Sequence, residues 1–149
     1  MSAPEGAADA VPGPPLPSLL TGVKDRTSRL LHERMADEGF GDLRYKHGEI
    51  FRLIDDEGSR LTDLADRSGV TKQGVGEMIG ELEQLGCLER VPAPDDRRAK
   101  IIRLTARGRA GRLAAARILG DIERDWVLRF GRDRVIALRH VLEGVVSES

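Results

Sequence analysis

The sequence predicts a mainly α-helical chain carrying one small β-hairpin. Three observations predict it. Apolar residues recur at helical spacing over most of the chain from Ser18 onward. Threonines and glycines punctuate that pattern where helices would start and stop. The period changes to that of a strand pair only between Cys87 and Leu104, around a turn at Pro92–Asp96.

The elements follow in order. Residues 1–17 hold five of the seven prolines, a density that sustains neither a helix nor a central strand, so this segment reads as a disordered tail. From Ser18, a good N-cap, Leu19, Val23, Leu30, Leu31 and Met35 form one stripe. Gly39 and Gly41 break it. A second helix is expected from Leu43 to about Asp56, ended by Gly58. A strand-like Arg60-Leu61 leads to Thr62, the expected cap of a helix over Asp63–Ser68. Gly69 stops that helix, and Thr71 caps the next, which runs to about Leu85 before Gly86. In it Val75, Ile79, Leu82 and Leu85 share one face, while Lys72, Gln73, Gly76, Glu77 and Gly80 share the other. Cys87–Val91 and Lys100–Leu104 make the hairpin, with Arg97 and Arg98 in its loop. Thr105 caps a long helix to about Phe130, Gly131 breaks it, and a last helix carries Val135, Leu138, Leu142 and Val145 at seam-like spacing.

Composition bounds the function. A chain of 149 residues, 40% hydrophobic and 33% charged, reads as one globular domain. One cysteine excludes a disulfide within the chain and a cysteine-based metal site. No apolar run is long enough to span a membrane, and the N-terminus lacks the basic and apolar regions of a secretory signal, so a cytoplasmic protein is expected. The net charge is −1, but Arg97 to Arg112 holds seven cations and no acid. Such a stretch is an electrostatic footprint or a solvated face.

Helix, turn, helix and hairpin in this order make a winged helix-turn-helix, whose second helix enters the major groove of duplex DNA. Thr71, Lys72 and Gln73 stand at its start. Lysine donates to guanine, glutamine pairs with adenine, and the Thr71 hydroxyl at a helix N-terminus suits a phosphate. Gly74, Gly76 and Gly80 weaken the helix by about 1 kcal/mol each relative to alanine. Close approach of backbone to DNA and tight packing on a neighbouring helix both account for them. Glu77 is awkward there; it either accepts from cytosine or orients Lys72 or Arg90. Arg97, near the hairpin tip, suits a narrow minor groove. Asp96 and Arg98 are placed to pair across the turn and hold its shape.

These residues resemble the MarR family (multiple antibiotic resistance regulator) of winged-helix transcription factors. Three stretches carry the resemblance: Arg60-Leu61-Thr62-Asp63-Leu64-Ala65; Val70 to Val75 with Leu82 to Arg90; and Asp95 to Lys100 continuing through Arg103-Leu104-Thr105 to Gly108. It covers about residues 18–149 and is strongest over 60–108. The resemblance implies a homodimer interlocked through its first and last helices, reading a pseudo-palindromic operator. It implies a repressor, less often an activator, released by a small aromatic effector bound between the dimer helices and the DNA-binding lobe. It implies base reading by Lys72 and Gln73, minor-groove contact by Arg97, and a structural pair in Asp96 and Arg98; Gly76 and Arg98 join the DNA-facing set. The chain departs from the pattern at Ala93, where the family often has aspartate, and at Cys87, where many members have tyrosine. Cys87 reads as a buried small hydrophobe rather than an oxidant sensor.

The expected organisation is a tail over 1–17, an N-terminal dimerisation helix over 18–42, a winged helix-turn-helix lobe over 43–104 and C-terminal dimerisation helices over 105–149. Left without a partner, the last helix would expose an apolar stripe, although packing on the same chain's helices would also cover it. No catalytic constellation, metal or cofactor is expected, because His32, His47 and His140 are scattered. Tyr45, His47 and Phe51 are candidates for the wall of an effector pocket. The alternative is a winged helix used only for protein interaction. Its support is the lobe's neutrality, eight cations against eight acids over residues 60–104.

Overall fold

The computed structural model describes residues 11–148; most of the expected tail, residues 1–10, lies outside them. Helix α1 spans Leu16–Asp37 and begins two residues before Ser18. Pro15 is its N-cap and Pro17 sits in its first turn, where a missing N–H costs nothing. The helix expected over residues 43–56 is instead a short 3-10 turn, Tyr45–His47, followed by α2, Gly48–Leu53. Ile54 is already extended, so the chain leaves α2 before Gly58.

Helix α3 spans Leu61–Ser68, so Thr62 lies inside it and does not cap it. Extended Arg60 occupies the cap, without a side-chain bond. The strand-like contact falls one residue earlier than expected, where Ser59 exchanges two 2.8 Å backbone hydrogen bonds with Ile102. Gly69 ends α3 in the left-handed conformation, at φ 68°. Helix α4 spans Lys72–Gln84 under the Thr71 cap. Strands β1, Leu88–Pro92, and β2, Lys100–Leu104, pair antiparallel from Leu88↔Leu104 to Pro92↔Lys100. Thr105 caps α5, Ala106–Phe130, and α6 covers Arg132–Ser147.

One core joins these elements. Ile50, Leu64, Val75, Ile79, Leu82, Ile102, Leu104 and Ile118 are buried in it, with Met35 of α1. The inward stripe of α4 is thus the stripe the periodicity predicts. The first strand, expected over Cys87–Val91, is shifted by one residue to Leu88–Pro92, and Cys87 is a fully buried bend residue immediately before it. The terminal helices differ from the lobe. Met35 is the one buried residue of α1, and α6 has none. Leu16, Leu19, Leu20 and Val23 on α1 are exposed, as are Leu128, Phe130, Leu138, Val141, Val145 and Val146. Val135 and Leu142 are half-buried beside Trp126 in a groove between α5 and α6. Packing within one chain therefore covers only part of the seam.

Candidate nucleic-acid interface

The start of α4 is built by its cap. Thr71 Oγ1 accepts from the Gly74 N–H at 3.1 Å, and Thr71 O accepts from Val75 N–H at 3.0 Å. Val75, Ile79 and Leu82 anchor one face completely. Lys72, Gln73 and Glu77 are left exposed at the start of the other. The glycines divide. A Cβ on Gly74 would stand 3.0 Å from Val70 Cγ1 and 3.2 Å from Thr71 Oγ1, so this glycine serves the cap. A Cβ on Gly76 would meet only Leu61 Cδ1 at 3.7 Å, and one on Gly80 would meet nothing. Packing within the chain does not require glycine at either position.

The hairpin loop is folded by its own backbone. Asp96 Oδ1 accepts from the Arg98 N–H at 3.0 Å, Asp96 O accepts from Ala99 N–H at 3.1 Å, and Ala99 O accepts from Ala93 N–H at 2.9 Å. Asp96 and Arg98 are joined, but through the Arg98 main chain; the guanidinium remains exposed. Arg60, at the start of α3, lies 3.6 Å from Asp95 and links the loop to the helix-turn-helix.

The lobe's neutrality separates into paired and unpaired charge. Arg90 pairs with Glu83 at 2.8 Å, Arg103 with Glu89 at 2.7 Å and Arg67 with Asp55 at 3.0 Å. Arg90 is therefore not oriented by Glu77. Among the described residues, Lys72, Arg97, Arg98 and Lys100 have no ion-pair partner, and all four are exposed. The basic stretch after Arg97 is not one footprint. Arg107 and Arg112 turn inward to acids and carbonyls, Arg112 to Ile54 O and Asp56 and Arg107 to Leu85 O and Asp42, while Arg103 is neutralised at the surface by Glu89. The wing keeps Arg97, Arg98 and Lys100.

A cavity of about 850 Å³ opens between α1, the 3-10 turn, α2 and α5. Tyr45, Phe51 and Trp126 line it with Val23 and Leu31, and Lys24, Arg44, Lys46, Arg52 and Arg112 surround them with Glu49 the one acid. His47 is not on this wall. It is buried, with Nδ1 accepting from the Arg44 N–H at 3.0 Å. That leaves Nε2–H to donate to Glu81 Oε2 of α4 at 2.8 Å. Lys46 Nζ reaches the same carboxylate at 2.8 Å. Lys46, then His47, hold the Glu81 carboxyl below the usual glutamate range. This three-residue contact has no local sequence signal, since its partners lie 34 and 35 residues apart.

Cys87 is sealed. Its Sγ donates to Leu85 O at 3.8 Å and receives Arg107 Nη1–H at 3.4 Å, while burial pushes the thiol up from its ordinary range. His32 Nδ1 faces Leu43 O at 3.2 Å, and His140 is exposed on α6. Among the described residues, no three His, Cys, Asp or Glu side chains gather as a metal site, and no helix is long and apolar enough to cross a membrane.

Residues 42–99 match the model of the MarR family. The fold as a whole is similar to solved structures of that family. The reduced form of MarR from E. coli is 23% identical over 91% of this chain and 98% of its own, at a TM-score of 0.70. A cysteine mutant of E. coli MarR complexed with operator DNA is 24% identical over 88% and 93%, at 0.69. The transcriptional regulator BldR from Sulfolobus solfataricus is 22% identical over 90% and 94%, at 0.65. No curated protein sequence matches the chain.

Proposed function

We propose that this chain is a MarR-type cytoplasmic transcriptional regulator that binds operator DNA as a homodimer; the match of residues 42–99 to that family's model and the winged-helix fold support the reading. One observation carries the reading. Over residues 60–104 the unneutralised cations, Lys72 at the start of α4 and Arg97, Arg98 and Lys100 on the wing, stand where a winged helix meets DNA, while the other four, Arg60, Arg67, Arg90 and Arg103, are paired with acids. Lys72 and Gln73 read base edges in the major groove, with Thr71 on a phosphate and Gly76 allowing the backbone close. Arg97 enters the flanking minor groove, and Arg98 contacts the backbone from a loop that Asp96 holds.

The dimer follows from exposed apolar surface on both terminal helices. Two lobes related by a twofold axis read a pseudo-palindrome, with half-sites about one helical turn apart. The protein represses by occluding a promoter. A small aromatic effector in the cavity beside Tyr45 and Phe51 releases it by changing the spacing of the two α4 helices.

Selection of bound sequences from a random duplex pool, at near-physiological salt, tests the reading. An enriched inverted repeat supports it. No enrichment by a folded dimer favours the protein-interaction alternative, for which the exposed Glu77 beside Lys72 and Gln73 would be a contact.

A further inference from the structure

Helix α4 is gripped on two sides. Glu81 and Glu83 are two residues apart, so they project about 200° apart around the helix axis. They therefore flank the buried stripe of Val75, Ile79 and Leu82 from opposite sides. On one flank Glu81 takes Lys46 Nζ at 2.8 Å and His47 Nε2–H at 2.8 Å. On the other, Glu83 takes Arg90 Nε–H at 2.8 Å. Two opposed clasps resist a roll of α4 about its own axis more than either does alone. A roll is the motion that would carry Lys72 and Gln73 off their base edges.

The Glu81 clasp also has a second face. Lys46 lines the cavity, and so do Arg44, whose N–H holds the His47 ring, and Tyr45. The same short turn thus forms cavity wall on one side and grips the recognition helix on the other.

We propose that Glu81 is a positioning residue for DNA recognition, fixing the roll of α4 against the Tyr45–His47 turn and so tying that roll to the cavity wall. The proposal rests on the DNA-binding reading for its consequence, but the clasp itself can be tested without DNA.

The experiment compares wild type, Glu81→Ala and Glu81→Gln as full-length dimers. It reads affinity for the selected operator and for a random duplex, thermal midpoint, and amide exchange over residues 72–84. Glu81→Ala is expected to lose at least about tenfold in operator affinity, since a base contact is misplaced in each half-site, with random-duplex affinity not reduced. Exchange over α4 should quicken. Glu81→Gln keeps an acceptor for His47 Nε2–H and should recover part of both; it also carries the test, with His47→Gln, where Glu81→Ala does not fold. A lower thermal midpoint with operator affinity unchanged would make the residue merely structural and overturn the proposal. Should the wild type prefer no duplex, the DNA reading fails, and unchanged amide exchange in Glu81→Ala would separately overturn the clasp.

Discussion

Arg107 of α5 grips Asp42 through both carboxylate oxygens, with Nη2 at 2.9 and 3.1 Å. Its Nη1 donates to Leu85 O at 2.6 Å, at the exit of α4, and Nη2 also reaches Gly39 O at 3.2 Å. One guanidinium thus joins the end of α1, the approach to the 3-10 turn and the end of α4. Phe40 lies against it, with its ring centre 5.4 Å away. A planar fork can meet several fixed acceptors at once, which a lysine ammonium cannot.

Arg107→Ala should therefore lower stability by about 1.5–3 kcal/mol, the range for charge-assisted hydrogen bonds. Arg107→Lys should recover less than half of the loss. Urea unfolding at one fixed protein concentration checks this. A lysine variant as stable as wild type would show that charge alone suffices.

The same contact predicts an acid dependence. Arg107 holds the Asp42 carboxyl below the usual aspartate range. A depressed native pKa adds stability that is complete above the unfolded-state value and is lost as pH falls through the native one. Asp42→Asn should thus be less stable than wild type at pH 6. The gap should narrow below about pH 3.9, the ordinary aspartate value. A gap that stays constant down to pH 3 would remove Asp42 ionisation as its source.

Glycines at two positions should respond in opposite ways to alanine. A Cβ on Gly108 would lie 2.1 Å from Cys87 O, whose position is set by the bond it accepts from Thr105 N–H. Gly108→Ala should misfold, read as loss of soluble folded protein. Gly80 has open space, so Gly80→Ala should stabilise α4 by about 1 kcal/mol. If DNA approaches that face closely, the same variant should bind operator more weakly. A stabilised variant with full operator affinity would leave the glycine with no DNA role.

At the wing, Arg97→Ala should weaken operator binding and reduce its salt dependence by about one phosphate per protomer. Asp96→Ala removes the acceptor of the Arg98 N–H and should weaken binding through loop disorder, visible as faster amide exchange at residues 98–99. A folded Arg97→Ala variant with wild-type affinity and salt slope would take Arg97 off the DNA.

Cys87 should react slowly with iodoacetamide in the folded protein and fully in urea. Its thiol is buried and its ionisation is disfavoured by that burial. Rapid alkylation at neutral pH in the native protein would reopen a redox role.

Much of the fold was legible because its signals are local. Thr71 and Thr105 cap the helices assigned to them, and each bonds the N–H three residues on. Gly69, Gly86 and Gly131 take positive φ where helices were expected to stop. The stripe of α4 and the span of β2 also needed only neighbours in sequence. The errors have the same origin. Ser18 and Thr62 have cap chemistry, but Pro15 and the Ser59–Ile102 bridge set where those helices begin. His47, read as a pocket side chain, was drawn inward by an acid 34 residues away.

The sequence by itself determined the helical stripes, the caps, the hairpin and the position of the basic loop, since each depends on spacing within one or two turns of chain. Only the tertiary structure decided which charges are free. Lys46 meets Glu81 across 35 residues, Arg112 meets Asp56 across 56 and Arg107 meets Asp42 across 65. Such pairs form because hydrophobic packing brings distant helices together and the long cationic side chains then reach whichever acids that packing has placed beside them. Over residues 60–104 they leave Lys72, Arg97, Arg98 and Lys100 unpaired, and these are the cations the proposed DNA reading rests on.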